Sequence, residues 1–451
     1  MRWYLDEAAA ETWSVRTLQR TRLIAQALYD MGVIEHYGRG IKRINPEMKK
    51  TCLQICKPDS GAVTFFTGIL VWGVGMGCFN AVFHNFTVDF YHIGGIQRGV
   101  LEFMRETPGV LLVAVLALLS RFSDWRVLRI GTLVSVAAVL LMLIPAPWAL
   151  AVGFITFWSL GEHTVMPVRQ SLALMLAKDG KGGESLGFMT SMMNTGTVAG
   201  SLIVAAVFYA GTKLMDGVPL RALYDTVFVL VAVLLLASVV FSMRKAEPGA
   251  RMTRRPKFYF HRKYSTFYAL ELFYGARKQV FFTFGPFVLI THYGMATKEV
   301  ALLFAFSAFL TALWGGRLVG RLVDRWGYRN VMIWDTVVLA VVCVLYGFAK
   351  EIFPPRVALA VVCVNYVLDA ILSNCSIATN LYARTLSDTQ EELTATLSTG
   401  ISINHVITVF YAILGGWIFE EFGPGALFTT AAVMSLLNSA FALTVPRPKE
   451  K

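Results

Sequence analysis

GRLVDRWGYRN, residues 320–330, is a charged loop between two long apolar runs. Its last part, DRWGYRNV at 324–331, has a counterpart in SRFSDWRV at 120–127, which lies 204 residues earlier in the chain. The string ALAV also occurs twice, at 149–152 and at 358–361, with an offset of 209. Similar segments that recur in the same order at a nearly constant offset indicate an internal repeat. The sequence therefore predicts two related halves.

The chain around these loops is strongly apolar. Of its 451 residues, 56% are hydrophobic and 16% are charged, whereas soluble domains usually carry about 25% charged residues. This composition indicates a membrane bundle, and the six Cys exclude a disulfide-rich scaffold. Long apolar runs are typical of spanning helices, because a membrane barrel would show short alternating segments. We expect twelve spans, at 62–88, 97–120, 127–145, 148–175, 185–210, 222–243, 265–291, 298–321, 331–349, 356–383, 394–419 and 425–445.

The positive charges are distributed unevenly between the predicted turns. The chain has 41 Lys and Arg against 29 Asp and Glu, a net charge of +12. With both termini inside, the inner segments contain 31 of these Lys and Arg and the outer turns contain six. Cytoplasmic loops carry such an excess, so we expect an N-in, C-in, multi-pass protein of the inner cell membrane. The same distribution explains the net charge without a nucleic-acid partner.

The repeat and the spans together predict four parts of the chain. These are an amino-terminal cytoplasmic segment at 1–60, a first six-helix half at 61–243, a basic cytoplasmic linker at 244–263 and a second six-helix half at 264–447. The predicted fold class is thus an all-α polytopic membrane protein with twelve transmembrane helices in two six-helix halves. Transporters built from two such halves bind substrate near the bilayer midplane, between the halves.

The loop at 320–330 resembles the signature loop of the major facilitator superfamily, Gly-x-x-x-Asp-Arg-x-Gly-x-Arg. Together with the predicted spans, the repeat and the basic linker, the resemblance covers residues 61–447. The equivalent loop of the first half departs from the pattern, because Ser120 replaces the Asp and Ser123 replaces the Gly. The resemblance implies the major facilitator fold and a transport function.

The resemblance also implies a gating role for several loop residues. In the family, this loop governs the exchange between conformations and does not select the substrate. Its Asp can cap a helix or pair with Arg, which would hold the inner gate closed in one state. The alternative is a plain turn at the membrane surface. The implied gating residues are Arg121 in the first half and Gly320, Asp324, Arg325, Gly327 and Arg329 in the second half.

The predicted span 97–120 begins with LEFMRETPG, which contains a cluster of charges. Glu102, Arg105 and Glu106 are spaced so that they can pair along one helix. If the helix begins near Gln97, this cluster lies well inside the membrane. It is either a structural network of ions or part of an outer gate.

Charged and polar residues in the other spans are candidates for a central site. A charge at mid-membrane costs about 2.5–3.5 kcal/mol on insertion scales, so it needs a partner or a wet cavity. Arg277 and Lys278 suit an anionic substrate or neutralise acids across the halves. Glu162 and Asp369 are candidate proton carriers, with fixed ion pairing or interhelical hydrogen bonding as the alternative. The candidate substrate-binding residues are Asn80, His84, Glu162, His163, Arg169, Asn194, Arg277, Lys278, Asp369, Asn374 and His405.

The amino-terminal segment differs from the rest of the chain. Within it, LIAQALYDMGVIEHYGRGIKRI at 23–44 has the pattern of an amphipathic helix followed by a turn with Gly and basic residues. Residues 12–47 resemble the tail of a family of bacterial DNA-binding regulators related to ATP-dependent helicases. The alternatives are a fused remnant, a start codon placed too early, with Met48 as the natural start, or a helix on the membrane surface.

These features favour a secondary active transporter that moves a small polar or anionic solute by alternating access, with protons as the candidate coupling ion. No Gly-x-x-x-x-Gly-Lys-[Ser/Thr] loop for ATP occurs in the sequence. One alternative is a transporter-like sensor or lipid translocator without solute flux, and another is a membrane enzyme. We expect no catalytic residues, no cofactor, no metal site and no nucleic-acid partner, and we expect a monomer in the lipid bilayer.

Overall fold

The computed structural model describes residues 49–52, 54–57, 61–119, 121–178, 181–213, 217–243 and 260–446. The segment that resembles a DNA-binding regulator, 12–47, lies outside the described residues, as do Ser120 and most of the predicted linker. For Gly320 and Asp324, only the backbone is described.

The described chain is α-helical, and the predicted all-α class is confirmed. An isolated bridge between Cys56 and Ala177 is the only extended pairing within the described ranges. The helices are α1 (Ala62–Tyr91), α2 (Gly95–Val110), α3 (Leu112–Leu118), α4 (Asp124–Leu141), α5 (Trp148–Leu176), α6 (Gly182–Lys213), α7 (Leu220–Met243), α8 (Ser265–Thr291), α9 (Thr297–Leu310), α10 (Gly316–Gly347), α11 (Ala349–Ile352), α12 (Pro355–Leu372), α13 (Ser376–Leu386) and α14 (Gln390–Leu443). Short non-α helical segments occupy Arg262–Tyr264, Thr311–Gly315 and Ser373–Cys375.

Two glycines interrupt the longest helices. Gly327 divides α10 with a φ of 76°, and Gly423 divides α14 with a φ of 79°. L side chains rarely adopt such positive φ values, whereas glycine adopts them at little cost. Each of these two helices therefore consists of two rods that change direction at the glycine.

Six helices in the described part of the chain are long and apolar enough to cross a membrane. They are Ala62–Tyr91, Glu184–Lys213, Leu220–Met243, Arg325–Gly347, Pro355–Leu386 and Thr399–Leu443. Helix α2 is shorter and carries Arg98, Glu102, Arg105 and Glu106, which lower its hydropathy. The twelve-span layout and the N-in, C-in orientation stay predictions.

The apolar core is divided in the same place as the sequence repeat. One cluster takes its buried residues almost entirely from positions 52–235, where the rings of Phe79 and Trp158 stack with centroids 3.9 Å apart. Two further clusters draw on positions 264–445, apart from Ile93. There, the rings of Tyr346 and Phe428 stack at 4.6 Å. We call the groups 61–243 and 260–446 the first half and the second half.

The two halves contact each other at the end of the bundle that contains the turns at 92–94 and 292–296. We call this end the outer end, following the predicted orientation. Here α2 packs closely on α14: a Cβ added to Gly99 would lie 2.5 Å from the Ala412 carbonyl oxygen and 3.0 Å from the Cα of Gly416. Small residues permit such close helix approach in membranes.

Residues 49–52 and 54–57 pack onto the turn after α5. The Lys57 N–H donates to the carbonyl of Leu176 at 2.9 Å, and the Lys178 N–H donates to the carbonyl of Ile55 at the same distance. Cys52 and Cys56 are buried in this contact, and burial raises the pKa of the Cys52 thiol to about 12. The stretch ahead of α1 is therefore attached to the first half through backbone hydrogen bonds.

Candidate transport site and gates

Four charged residues of α2 form a buried network near the outer end, which we call the paired cluster: Arg98, Glu102, Arg105 and Glu106. Arg98 Nη2 forms an ion pair with Glu102 Oε1 at 2.7 Å, Arg105 Nε donates to Glu102 Oε2 at 2.7 Å, and Arg105 Nη2 donates to Glu106 Oε1 at 2.8 Å. The i,i+3 and i,i+4 spacings place these side chains on one helix face, as the sequence predicted for Glu102, Arg105 and Glu106. Each guanidinium therefore has a carboxylate partner.

The paired cluster also contacts the second half. Arg98 Nε donates to the Thr283 carbonyl of α8 at 3.1 Å, and the Arg105 guanidinium lies 4.8 Å from the ring centroid of Phe282. His84 of α1 accepts from Arg98 Nη2 at 2.9 Å, so its ring belongs to this network. These contacts place the paired cluster at the junction of the two halves.

Glu106 also faces two histidines from other helices. His405 Nδ1 of α14 lies 3.3 Å from Glu106 Oε2, and His163 Nε2 of α5 lies 3.9 Å from the same oxygen. The two histidine rings have centroids 5.5 Å apart. The fold thus brings together three residues that are far apart in the sequence.

A second charged site lies in the other half, centred on Arg277 of α8. Arg277 is fully buried, and its Nη1 donates to Asp369 Oδ1 at 3.2 Å, while its Nε and Nη2 have no hydrogen-bond partner among the described residues. The Tyr274 ring lies 4.7 Å from the guanidinium. Asp335 of α10 interacts electrostatically with Arg277 and has one oxygen without a hydrogen bond. Only part of the hydrogen-bonding capacity of the Arg277 guanidinium is therefore used.

Asp335 was not among the residues expected from the sequence. It lies in the apolar run 331–349. A single acid within a predicted span is costly, and this was the feature that could have identified Asp335 as a candidate. Glu271 is another acid of this region, where it interacts with Asn404 and Lys278.

Arg169 of α5 is a buried cation without a close carboxylate. Its guanidinium lies 4.3 Å from the Trp72 ring centroid, and its Nε and Nη1 have no hydrogen-bond partner in the part of the chain that the structure describes. Glu162 acts on Arg169 electrostatically, although no ion pair within 4.0 Å joins them in the described residues. A cation–π contact compensates only part of the cost of burying this charge.

The remaining candidate residues differ in their exposure. Asn80 and Lys278 are exposed, whereas Asn194 and Glu162 are half-buried. Asn374 donates to the carbonyls of Ala370 and Ile371 in its own helical turn, so its amide N–H groups are hydrogen-bonded to the helix backbone.

The two charged loops differ in their local contacts. In the second half, Arg329 Nη2 donates to the Leu443 carbonyl at 2.9 Å, and Arg325 is exposed. In the first half Arg121 is exposed, and the buried Asp124 accepts from Ser171 Oγ at 2.5 Å. Asp124 was not singled out in the sequence, although it follows a Ser that caps α4.

A family model described as Major Facilitator Superfamily matches residues 107–387 and 280–451, well over half of the chain. The resemblance read from the loop at 320–330 is therefore confirmed. The resemblance of residues 12–47 to a DNA-binding regulator finds no support in these comparisons. No curated protein matches the chain at a significant level.

Solved transporter structures share the fold. A mutant of the nucleoside transporter NupG superposes with a TM-score of 0.68 at 11% identity, covering 85% of this chain and 99% of that one. A POT family transporter in complex with a thioalcohol-conjugated peptide gives 0.67 at 11% identity, covering 85% and 95%. A bacterial homologue of the human lysosomal transporter Spinster, inward-facing and occupied, gives 0.60 at 14% identity, covering 85% and 96%. At these identities the likeness concerns the fold alone.

Proposed function

The chain belongs to the major facilitator superfamily and is a non-enzymatic secondary transporter of the membrane, and we propose that its cargo is a small polar or anionic solute. The observation that carries this proposal is Arg169, a cation buried among the helices without a carboxylate within ion-pair distance in the described residues. A charge inside a span costs about 2.5–3.5 kcal/mol on insertion scales unless it has a partner or water. An anionic cargo would supply that partner.

Arg277 and Lys278 provide the matching positive charge in the second half. Arg277 uses one nitrogen for Asp369 and keeps two without a hydrogen bond, and the neighbouring Lys278 is exposed. A guanidinium binds a carboxylate or phosphate with two parallel hydrogen bonds. An anion held between Arg169 and Arg277 would thus be shared by the two halves.

We further propose that the chain spans the membrane twelve times, with both termini inside. In this arrangement the described contacts between the halves, such as Arg98 with Thr283, close the outer side. The cargo then enters and leaves from the cytoplasmic side in this state. Alternating access would require these contacts to open while the inner ends of the helices approach each other.

Asp369 is the proposed site of proton coupling. Its only described ion pair is the 3.2 Å contact with Arg277, and its side chain is partly exposed. A proton on Asp369 would remove that partner and leave Arg277 available for the anion. Glu162 stays a sequence prediction as a second proton carrier.

Uptake into proteoliposomes tests the proposed cargo class. A panel of small carboxylates, phosphates and their neutral analogues would be compared with wild-type protein and with Arg169→Gln. We expect uptake of at least one anion, reduced about tenfold or more in the variant, because a charge-assisted hydrogen bond contributes about 1.5–3 kcal/mol.

The matched control is Arg356→Gln, which removes an exposed arginine from the first turn of α12. It should transport as well as wild type. Uptake of neutral analogues alone, or equal anion uptake by Arg169→Gln and wild type, would contradict an anionic cargo.

A further inference from the structure

Three side chains that commonly bind metals meet between the halves, and we call them the outer triad: Glu106, His163 and His405. Their ligand atoms all lie within 4.8 Å of one another. Glu106 Oε2 is 3.3 Å from His405 Nδ1 and 3.9 Å from His163 Nε2. In a tetrahedral zinc site with bonds of about 2.0–2.1 Å, ligand atoms are about 3.4 Å apart. The two distances from Glu106 Oε2 are within about 0.5 Å of that value.

The hydrogen bonds of His163 determine which of its nitrogens is free. Nδ1 lies 2.9 Å from the Ser159 carbonyl oxygen and 3.0 Å from Ser159 Oγ, whose own proton goes to the carbonyl of Arg105. Nδ1 therefore carries the hydrogen of the neutral ring, and the lone pair of Nε2 points at Glu106. Metal-bound histidines usually donate their other N–H to such a carbonyl.

Glu106 divides its two oxygens between different partners. Oε1 accepts from Arg105, and Oε2 faces both histidines. The two arginines and two glutamates of the paired cluster have no net charge together. The cluster therefore does not repel a cation bound at Oε2 through a net positive charge. A lone pair on His163 opposite a carboxylate oxygen is unfavourable unless a metal ion or a proton lies between them.

Gly109 leaves room for both rings. A Cβ added there would lie 2.9 Å from His163 and 3.0 Å from His405 Nδ1. Both distances are tighter than real Cβ contacts, so any larger residue would displace the rings. The close approach of the two histidines therefore depends on this glycine.

We propose that the outer triad binds a divalent transition-metal ion of the Zn²⁺ type. Two imidazoles and one carboxylate suit Zn²⁺ or Co²⁺, whereas Mg²⁺ prefers an octahedral set of oxygens. The ligands come from α2, α5 and α14, so the bound ion joins the first half to the second. Binding of this ion does not depend on the proposed cargo.

Cobalt is the spectroscopic probe for this site. The full-length protein in detergent would be titrated with CoCl₂, followed by ZnCl₂, with MgCl₂ as the ion control. We expect one equivalent of Co²⁺ with the visible absorption of a four-coordinate ion, displaced by Zn²⁺ and unaffected by Mg²⁺. His163→Gln and His405→Gln should each weaken binding about 10–100-fold or more, since even outer partners of a metal site contribute that much.

Two further variants make the test specific. Gly109→Ala keeps all three ligands but places a methyl group against both rings, so it should also weaken Co²⁺ binding. His292→Gln removes a histidine of the outer turn and should bind as wild type does. Metal-free thermal unfolding of every variant checks its folding. Failure of the wild type to bind Co²⁺, or equal binding by His163→Gln, His405→Gln and wild type, would overturn the proposal regardless of the cargo.

Discussion

Two buried arginines, one in each half, have different numbers of close carboxylate partners. In the paired cluster of the first half, Arg105 contacts Glu102 and Glu106 at 2.7 and 2.8 Å. In the second half, Arg277 has one longer contact, 3.2 Å to Asp369, and two nitrogens without hydrogen bonds. Both arginines are buried, so exposure to solvent does not explain the difference.

This difference indicates that the paired cluster has a structural role and that Arg277 has a role in binding. A buried network of ion pairs loses much stability when one member is removed, because a charge remains buried without its partner. A partly paired arginine can accept a new anion without breaking an existing network. We therefore assign closure of the outer side to the paired cluster and cargo binding to Arg277 with Arg169.

The largest expected effect is on the stability of the paired cluster. Glu102→Gln removes the carboxylate that joins Arg98 to Arg105 and should destabilise the protein by about 3–5 kcal/mol, since the buried Arg98 loses its carboxylate partner and Arg105 keeps only Glu106. Thermal unfolding in detergent measures the change. Glu184→Gln is the control, because its pair with Lys181 is exposed and should contribute about 0–1 kcal/mol. Equal loss in both variants would contradict the assignment.

The second effect concerns transport with little change in stability. Arg277→Gln should reduce anion uptake about 10–100-fold, because it removes a charge-assisted contact with the cargo. Its unfolding midpoint should stay far closer to wild type than that of Glu102→Gln, since Asp369 is partly exposed and keeps access to water. Normal uptake by Arg277→Gln would remove this arginine from the site.

Asp369→Asn leaves Arg277 in place and changes only its carboxylate partner. The amide cannot take up and release a proton, so we expect that an imposed pH gradient no longer drives accumulation, while exchange of cargo across the membrane continues. Uptake with and without the gradient measures this. An undiminished response to the gradient would show that Asp369 does not couple transport to protons.

The smallest expected effect concerns the close contact of α2 with α14. A Cβ on Gly416 would lie 3.0 Å from the Cα of Gly99, so Gly416→Ala should weaken the outer closure by about 1–3 kcal/mol, as overpacking does. Labelling of a cysteine at Thr283, which is fully buried, should become faster from the outer side.

Gly153→Ala is the matched control for this glycine. A Cβ at Gly153 meets nothing within 4 Å, so labelling of the cysteine at position 283 should keep its wild-type rate. Faster labelling in Gly153→Ala as well would mean that the effect does not come from the contact between the halves.

Local features of the molecule could be predicted from the sequence. The helical class follows from the long apolar runs, and the pairing of Glu102 with Arg105 follows from their spacing on one helix. The loop at 320–330 was enough to identify the family, because its glycines and charges have fixed positions. Gly327 needs a positive φ, which agrees with its place in that pattern.

Contacts between distant helices could not be predicted in this way. His405 and Glu106 are separated by 299 positions, and no spacing rule relates them or His163. The sequence therefore predicted no metal site, although the fold brings these side chains together. Asp335 was missed for the same reason, since its relation to Arg277 depends on how α10 packs beside α8.

The accessibility of single cysteines to a thiol reagent shows directly whether a wet binding site lies between the halves. In a variant without the six native cysteines, cysteines at Asn80, Lys278 and Glu102 would be exposed to a membrane-impermeant thiol reagent from each side. The account predicts labelling at positions 80 and 278 from the inner side, protection by the anionic cargo, and no labelling at position 102. Sealing of positions 80 and 278 from water on both sides would contradict a wet binding site between the halves.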